Sequence, residues 1–233
     1  AEEHPLIRDG YASSAMLDPG GQDIDVHALH QGYLKYFRER GGALVTSSTV
    51  EGLSKDGDNW TVHAGEQTYK AAKVVNAAGA WVDDVLGLDS GQPEETHLRL
   101  VKGSHIIVPR WHEGDHAYFF QNGDGRIMFA IPYERGAFTL IGTTDVPYDA
   151  DRDRVEITAD EIDYLCAGAS EYYTRAITPD DVVATYSGVR PLYDDHAANA
   201  SKVTRDYVLK RDDAEGAPIL SVFGGKITTY REL

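Results

Sequence analysis

The run Phe223-Gly224-Gly225-Lys226-Ile227-Thr228-Thr229-Tyr230-Arg231 carries the residue types of an anion site. The apolar residues before it, 219–223, have the length of a buried strand. Gly224 and Gly225 let backbone N–H groups come close to a ligand, and Thr228 is a residue type that opens helices. A strand, a glycine turn and a helix N-terminus aim unpaired N–H groups and a positive dipole end at one place. Lys226 adds a full charge there. An ordinary strand-to-helix turn with a surface lysine uses the same residues, so the local pattern leaves both readings open. Ala77-Ala78-Gly79-Ala80-Trp81, which follows an expected strand at 73–76, is the second candidate. Small residues at the carboxyl end of a strand admit a ligand, and nucleotides bind at that edge in open α/β sheets. A tight packing turn explains them equally well. His112 and His116 flank Glu113-Gly114-Asp115 without metal-ligand spacing, so they are expected to face solvent and no metal is expected.

These residues need elements to hold them. Asp25 can cap a helix whose Val26, Leu29, His30, Tyr33, Leu34 and Phe37 recur at three- and four-residue steps, an expected core-facing stripe ended by Gly41-Gly42. Short strands are expected at 43–47, 50–54, 59–64, 67–69 and 73–76, with Asp56-Gly57 as a turn. From residue 98 the strands lengthen and read as antiparallel, at 98–108, 118–121, 127–133 and 138–142, with Gly123-Asp124-Gly125 as a hairpin turn. A helix at 159–173 opens with Thr158 and has Glu161 three residues on, the pattern of a capping box. Cys166 on that helix reads as a core thiol. Further strands are expected at 182–189, 204–210 and 219–223.

Composition narrows the class. Acidic residues outnumber basic ones 38 to 22, a formal charge of −16, which argues against nucleic-acid binding. The single cysteine excludes an internal disulfide and fits a reducing compartment. No apolar run approaches the roughly 18 residues of a membrane span, and no signal peptide is visible. The expectation is a soluble chain, or one resting on a membrane surface. A dinucleotide-binding fold announces itself by G-x-G-x-x-G between a strand and a helix, and no such run is present.

Five motifs in order then carry a resemblance: Leu98-Arg-Leu-Val-Lys-Gly-Ser-His-Ile-Ile-Val-Pro-Arg110, Ile141-Gly-Thr-Thr-Asp145, Tyr186-Ser-Gly-Val-Arg-Pro-Leu192, Val203-Thr-Arg-Asp-Tyr207 and Phe223 to Arg231. Together they resemble the FAD-dependent glycerol-3-phosphate dehydrogenases, almost without gaps from 98 to 233. Residues 1–90 resemble the wider glycine/D-amino-acid oxidase superfamily, and Asp23-Ile-Asp-Val-His-Ala-Leu29 and Val74 to Trp81 read closer to its amino-acid and amine oxidase branch. The family's glycine fingerprint and the C-terminal helical domain of its quinone-linked members are missing from the sequence, so the chain reads as an internal fragment of a longer flavoenzyme.

The resemblance implies a mixed α/β (α+β) fold. A partial FAD-binding Rossmann-like domain covers 1–97, an antiparallel-sheet substrate domain covers 98–218, and the chain returns to the FAD domain at 219–233. It implies FAD as cofactor, sn-glycerol 3-phosphate as substrate, dihydroxyacetone phosphate as product and a quinone as the next electron acceptor. Ala78, Gly79, Trp81, Gly224, Gly225, Lys226, Thr228 and Thr229 would then face the cofactor, with Lys226 offsetting negative charge on reduced flavin. Arg190 and Arg205 would hold the phosphate, because guanidinium offers it a planar fork. His105 would take the C2 hydroxyl proton, and Asp145 would orient a base or make an Asx turn. Lys226 and His105 would also touch the substrate. The location implied is cytoplasmic, with peripheral contact at the inner face of the cell membrane left open. A D-amino-acid or amine oxidase of the same superfamily, or a non-catalytic fragment unable to hold flavin alone, are the alternatives.

Overall fold

The computed structural model describes residues 7–12, 14–88, 96–194, 206–213 and 216–233. Its helices and strands, in chain order, are α1 (Val26–Glu39), β1 (Val50–Asp56), β2 (Asn59–Ala64), β3 (Gln67–Ala71), β4 (Val74–Asn76), α2 (Val82–Gly87), β5 (Leu98–Pro109), β6 (Tyr118–Gln121), β7 (Ile127–Tyr133), β8 (Phe138–Gly142), β9 (Val146–Pro147), α3 (Ala159–Tyr172), β10 (Ala184–Tyr193), β11 (Tyr207–Asp212) and β12 (Ile219–Gly224). The mixed α/β class expected from the sequence is the class observed.

Three sheets divide the strands. A small antiparallel sheet runs β1-β2-β3. A six-stranded antiparallel sheet runs β10-β5-β8-β7-β6, with β9 also paired to β5. The third runs β11-β12-β4, in which β12 pairs antiparallel with β11 and parallel with β4.

The largest core lies between one face of the six-stranded sheet and α3. Ile106, Val108, Met128, Ala130 and Ile141 from the strands meet Leu165, Cys166, Ala169 and Tyr173 there. The capping box forms as expected: the Thr158 hydroxyl accepts from the Glu161 N–H, and the Glu161 carboxylate accepts from the Thr158 N–H. Burial pushes the Cys166 thiol up to about 11, so it stays protonated, as a core thiol should. The strand expected to end at 189 continues through Pro191 to Tyr193. Proline is tolerated because β10 is an edge strand, where a missing N–H breaks no ladder on the open side.

Two expectations fail for one reason. The α1 stripe faces no core: no residue of α1 is buried, and Val26, Tyr33 and Phe37 are each about half exposed. Residues 43–47 form no strand, and Leu44 and Val45 stay exposed. Apolar periodicity encodes a buried face only where a partner surface exists, and none covers these residues among the described ones. Local contacts are modest: Tyr33 meets Tyr230 edge to face at 6.2 Å, and the Phe37 ring folds over Gly42. No helix among the described residues is long and apolar enough to cross a membrane.

Candidate active site

Side chains alternate along a strand, so each row of the six-stranded sheet presents one residue to α3 and the next to the other face. The register places Phe129, Gly142, His105 and Tyr186 in one row across β7, β8, β5 and β10. Two residues along β5, Gly103 lies opposite Gly188, and two further, Val101 lies opposite Arg190. This face is the one turned away from α3. Its glycines are occupied space. A Cβ on Gly142 would overlap the His105 ring, and a Cβ on Gly103 would overlap the Arg190 guanidinium. His105 and Arg190 therefore lie flat on a glycine floor, on one face.

Arg190 is held in a fixed pose. Its Nη1 donates to Asp145 Oδ1 at 2.8 Å and to the Thr144 carbonyl at 3.3 Å, and its Nη2 donates to Thr143 Oγ1 at 2.8 Å. Sequence reasoning offered Asp145 as the orienter of a base or an Asx turn. The structure gives it to Arg190 instead, because the 143–145 segment leaves β8 and returns along β5 as β9, across from β10.

The His105 ring is largely enclosed, and its buried Nδ1 has no hydrogen-bond partner among the described residues. Burial, and then the positive charge of Arg190, push its pKa down to about 4. The imidazole is therefore neutral at pH 7.

Behind the floor, on the α3 side, lies a polar cluster that the sequence did not reveal. Lys102, Ser104, Thr144 and Glu161 are all buried. Lys102 Nζ meets Glu161 Oε2 at 2.8 Å. Glu161 Oε1 accepts from Thr144 Oγ1 at 2.8 Å and from Ser104 Oγ at 3.0 Å, and Ser187 Oγ donates to Ser104 Oγ at 3.0 Å. Burial alone would raise the Glu161 carboxyl, but hydrogen bonds from Lys102, Thr158, Thr144 and Ser104 outweigh it and hold the pKa down to about 2.

Both groups make the fold acid-sensitive. His105 has a folded pKa below its unfolded 6.5, so the unfolded chain binds the proton first and stability is lost as pH falls from 6.5 to about 4. That shift is worth up to about 3 kcal/mol. Glu161, also depressed, contributes stability that is present above 4.5 and lost as pH falls towards about 2. Thermal melts between pH 7 and 4.5 should fall less steeply for His105→Gln than for the unaltered chain. Equal slopes would mean that His105 is not held neutral by the fold.

The other candidate turns meet at a second edge. Because β4 and β12 run parallel, with Ser221 opposite Asn76, their carboxyl ends put 77–81 and 224–229 side by side. Gly79, Gly224 and Gly225 have φ of 58°, 67° and 89°, the left-handed region that glycine enters at no steric cost. A Cβ on Gly79 would meet nothing within 4 Å, so this backbone is open to an approaching ligand. Gly79–Trp81 and Ile227–Thr229 are single 3-10 turns, shorter than the helix expected after Thr228. Lys226 is exposed, Thr228 follows it, and the Thr229 hydroxyl closes the turn on the Lys226 carbonyl at 2.9 Å.

An ion pair and backbone hydrogen bonds tie this edge to the segment after β9 and to the start of β5. Arg152 makes a two-pronged pair with Asp84 of α2, both bonds at 2.7 Å, and also reaches the Ala80 carbonyl. Asp83 accepts from the His97 and Leu98 N–H groups at the start of β5. A cavity of about 290 Å³ between Ala80, Trp81, Arg152 and Gly188 separates the 79–81 turn from β10.

Two sequence expectations remain. Arg205 lies outside the described residues. His112, expected in solvent, is buried against Tyr118 with its Nε2 on the His116 carbonyl at 2.9 Å; the loop folds back on β6, which the sequence did not signal. Among the described residues no cluster of three or more His, Cys, Asp or Glu could hold a metal.

An antiparallel sheet with a cation and a neutral imidazole on its open face, joined to a parallel-strand edge with glycine turns, defines a flavoenzyme-like arrangement. The FAD dependent oxidoreductase family pattern matches residues 1–231, and the chain belongs to that family. It is 44% identical over 201 residues to the D-erythritol 1-phosphate dehydrogenase of Brucella abortus, covering 84% of this chain and 40% of that protein. It is 42% identical over 201 residues to the aerobic glycerol-3-phosphate dehydrogenase of Escherichia coli, covering 83% of this chain and 40% of that one. Matches of that length extend beyond the 98–233 region into the first half of the chain. Among solved structures, the glycerol-3-phosphate dehydrogenase of Bacillus halodurans complexed with FAD superposes with a TM-score of 0.68 at 30% identity, over 88% of this chain and 40% of that one. The chain thus spans about 40% of the length of these relatives. FAD is the cofactor of the family, and the open backbone at Gly79 fits the approach of its ring or phosphates, whereas Gly224 and Gly225 pack against Asp206, Tyr193 and Tyr207.

Proposed function

We propose that this chain supplies the substrate face and one flavin-facing edge of a polyol-phosphate dehydrogenase that oxidises sn-glycerol 3-phosphate to dihydroxyacetone phosphate. The observation that carries the reading is the pairing of a clamped guanidinium with a neutral imidazole on one open face. Arg190 binds the phosphate dianion through its guanidinium charge, with Arg205 as its expected companion. His105 accepts the C2 hydroxyl proton as the C2 hydrogen departs with its electron pair, leaving the ketone. Bound FAD supplies the hydride acceptor. Ala78, Gly79, Trp81, Gly224, Gly225, Thr228 and Thr229 would hold it, and Lys226 would offset the charge that reduction brings. A quinone would be the next electron acceptor, and the proposed location is cytoplasmic, with peripheral contact at the inner face of the cell membrane.

A longer polyol phosphate is the second reading, supported by the 44% identity to an enzyme named for D-erythritol 1-phosphate. The test is anaerobic bleaching of the flavin in the full-length protein. The expected result is rapid bleaching by sn-glycerol 3-phosphate or D-erythritol 1-phosphate, whichever is faster naming the substrate, and none by D-amino acids. Bleaching by a D-amino acid alone would overturn the reading.

A further inference from the structure

We propose that Glu161 is a positioning residue for Arg190, acting through Thr144 from the opposite side of the sheet. This deepens the reading of Arg190 as the anion clamp and rests on it. The geometry divides the Glu161 carboxylate into two halves with different work. Oε2 serves α3 and the buried cation: it accepts from the Thr158 N–H at 2.9 Å, from the Thr158 hydroxyl at 3.1 Å, and meets Lys102 Nζ at 2.8 Å. Capping needs no more than that oxygen. Oε1 is turned to the sheet and takes the hydroxyls of Thr144 and Ser104.

Thr144 is the middle residue of the segment that grips Arg190. The residues on either side, Thr143 and Asp145, send their side chains forward to the guanidinium, and the Thr144 carbonyl accepts from it as well. The Thr144 side chain goes backward. Its single hydroxyl proton is spent on Glu161, and the Ser104 N–H donates to the same oxygen at 2.9 Å. The hydroxyl therefore has both its donor and its acceptor capacity fixed, and its rotation is fixed with them. A backbone segment pinned at its centre cannot twist without breaking two buried hydrogen bonds, each costly to leave unmade. The same carboxylate oxygen holds Ser104, the neighbour of His105 on β5, and through it Ser187 on β10. Strand β5, β10 and the 143–145 segment are thus tied from behind at one atom.

The test is a double-mutant cycle in the full-length, FAD-loaded enzyme. Thr144→Val keeps the shape and removes the hydroxyl. It should raise KM for sn-glycerol 3-phosphate by about 10-fold while kcat stays within about twofold, because binding common to ground and transition state is lost. Thr144→Ser should restore KM to near its original value. In an Arg190→Ala background, Thr144→Val should add nothing further, since it acts only through the guanidinium. Glu161→Gln, carried through the same cycle, should behave alike and covers the case in which Thr144→Val fails to fold. If Thr144→Val or Glu161→Gln raises KM equally with and without Arg190, or leaves KM unchanged while Arg190→Ala raises it, the positioning role is overturned and the clamp stands. An Arg190→Ala enzyme with unchanged KM overturns both.

Discussion

His105→Gln is expected to leave the full-length enzyme folded and loaded with FAD, yet slow its flavin reduction by about 10²–10⁴-fold, the usual worth of a positioned proton acceptor. Glutamine keeps a polar head of similar size over Gly142 but takes no proton near neutral pH. The low pKa of His105, about 4, makes the free ring a weak base. Its second cause is the field of Arg190, and a bound phosphate dianion opposes that field. Binding the substrate therefore strengthens the base that must act on it. Stopped-flow single turnovers under anaerobic conditions check the prediction, and an unaltered rate would remove His105 from the chemistry.

Arg190→Ala should raise KM for the phosphate substrate by about 10²-fold or more, since truncating one partner of a hydrogen-bonded, part-buried charge pair costs about 2–5 kcal/mol and each 1.4 kcal/mol is tenfold. Lysine should not rescue it, because a point charge cannot span Thr143, Asp145 and a phosphate as the planar fork does. Gly103→Ala offers a separate view of the same group. The new methyl would overlap the guanidinium, which can swing aside only by giving up its bonds to Thr143, Thr144 and Asp145. Stability should then fall by about 1–3 kcal/mol while KM rises towards the Arg190→Ala value. Melting temperature and KM measured together decide the matter. A large fall in stability with unchanged KM would mean that Arg190 is not where the anion binds.

Much of this arrangement is legible in the residues. The capping box before α3, the Gly224-Gly225 turn and the long antiparallel strands after 97 are all local patterns, written within a few residues of where they act. What escaped the sequence is neighbourhood. Asp145 and Arg190 are 45 residues apart, and only the strand order β10-β5-β8 brings them together. Glu161 advertised its cap but not its second oxygen, which faces residues from two other elements. The α1 stripe is apolar as its spacing says yet not buried, because periodicity reports a face and not what covers it. His112 looked polar enough for solvent, yet a loop folding on Tyr118 enclosed it.

The parallel pairing of Val74 with Ile219 has a consequence for how the protein is made. Every strand of the six-stranded sheet lies between those two residues in the chain. At a synthesis rate of about 5–20 residues per second, β4 waits on the order of ten seconds on the ribosome for β12 to appear. During that interval β5 to β10 can pair among themselves and pack on α3, with β11 and β12 still to come. The face that carries Arg190 and His105 is therefore built first, and the glycine turns at the carboxyl edge close beside it only when translation delivers β12.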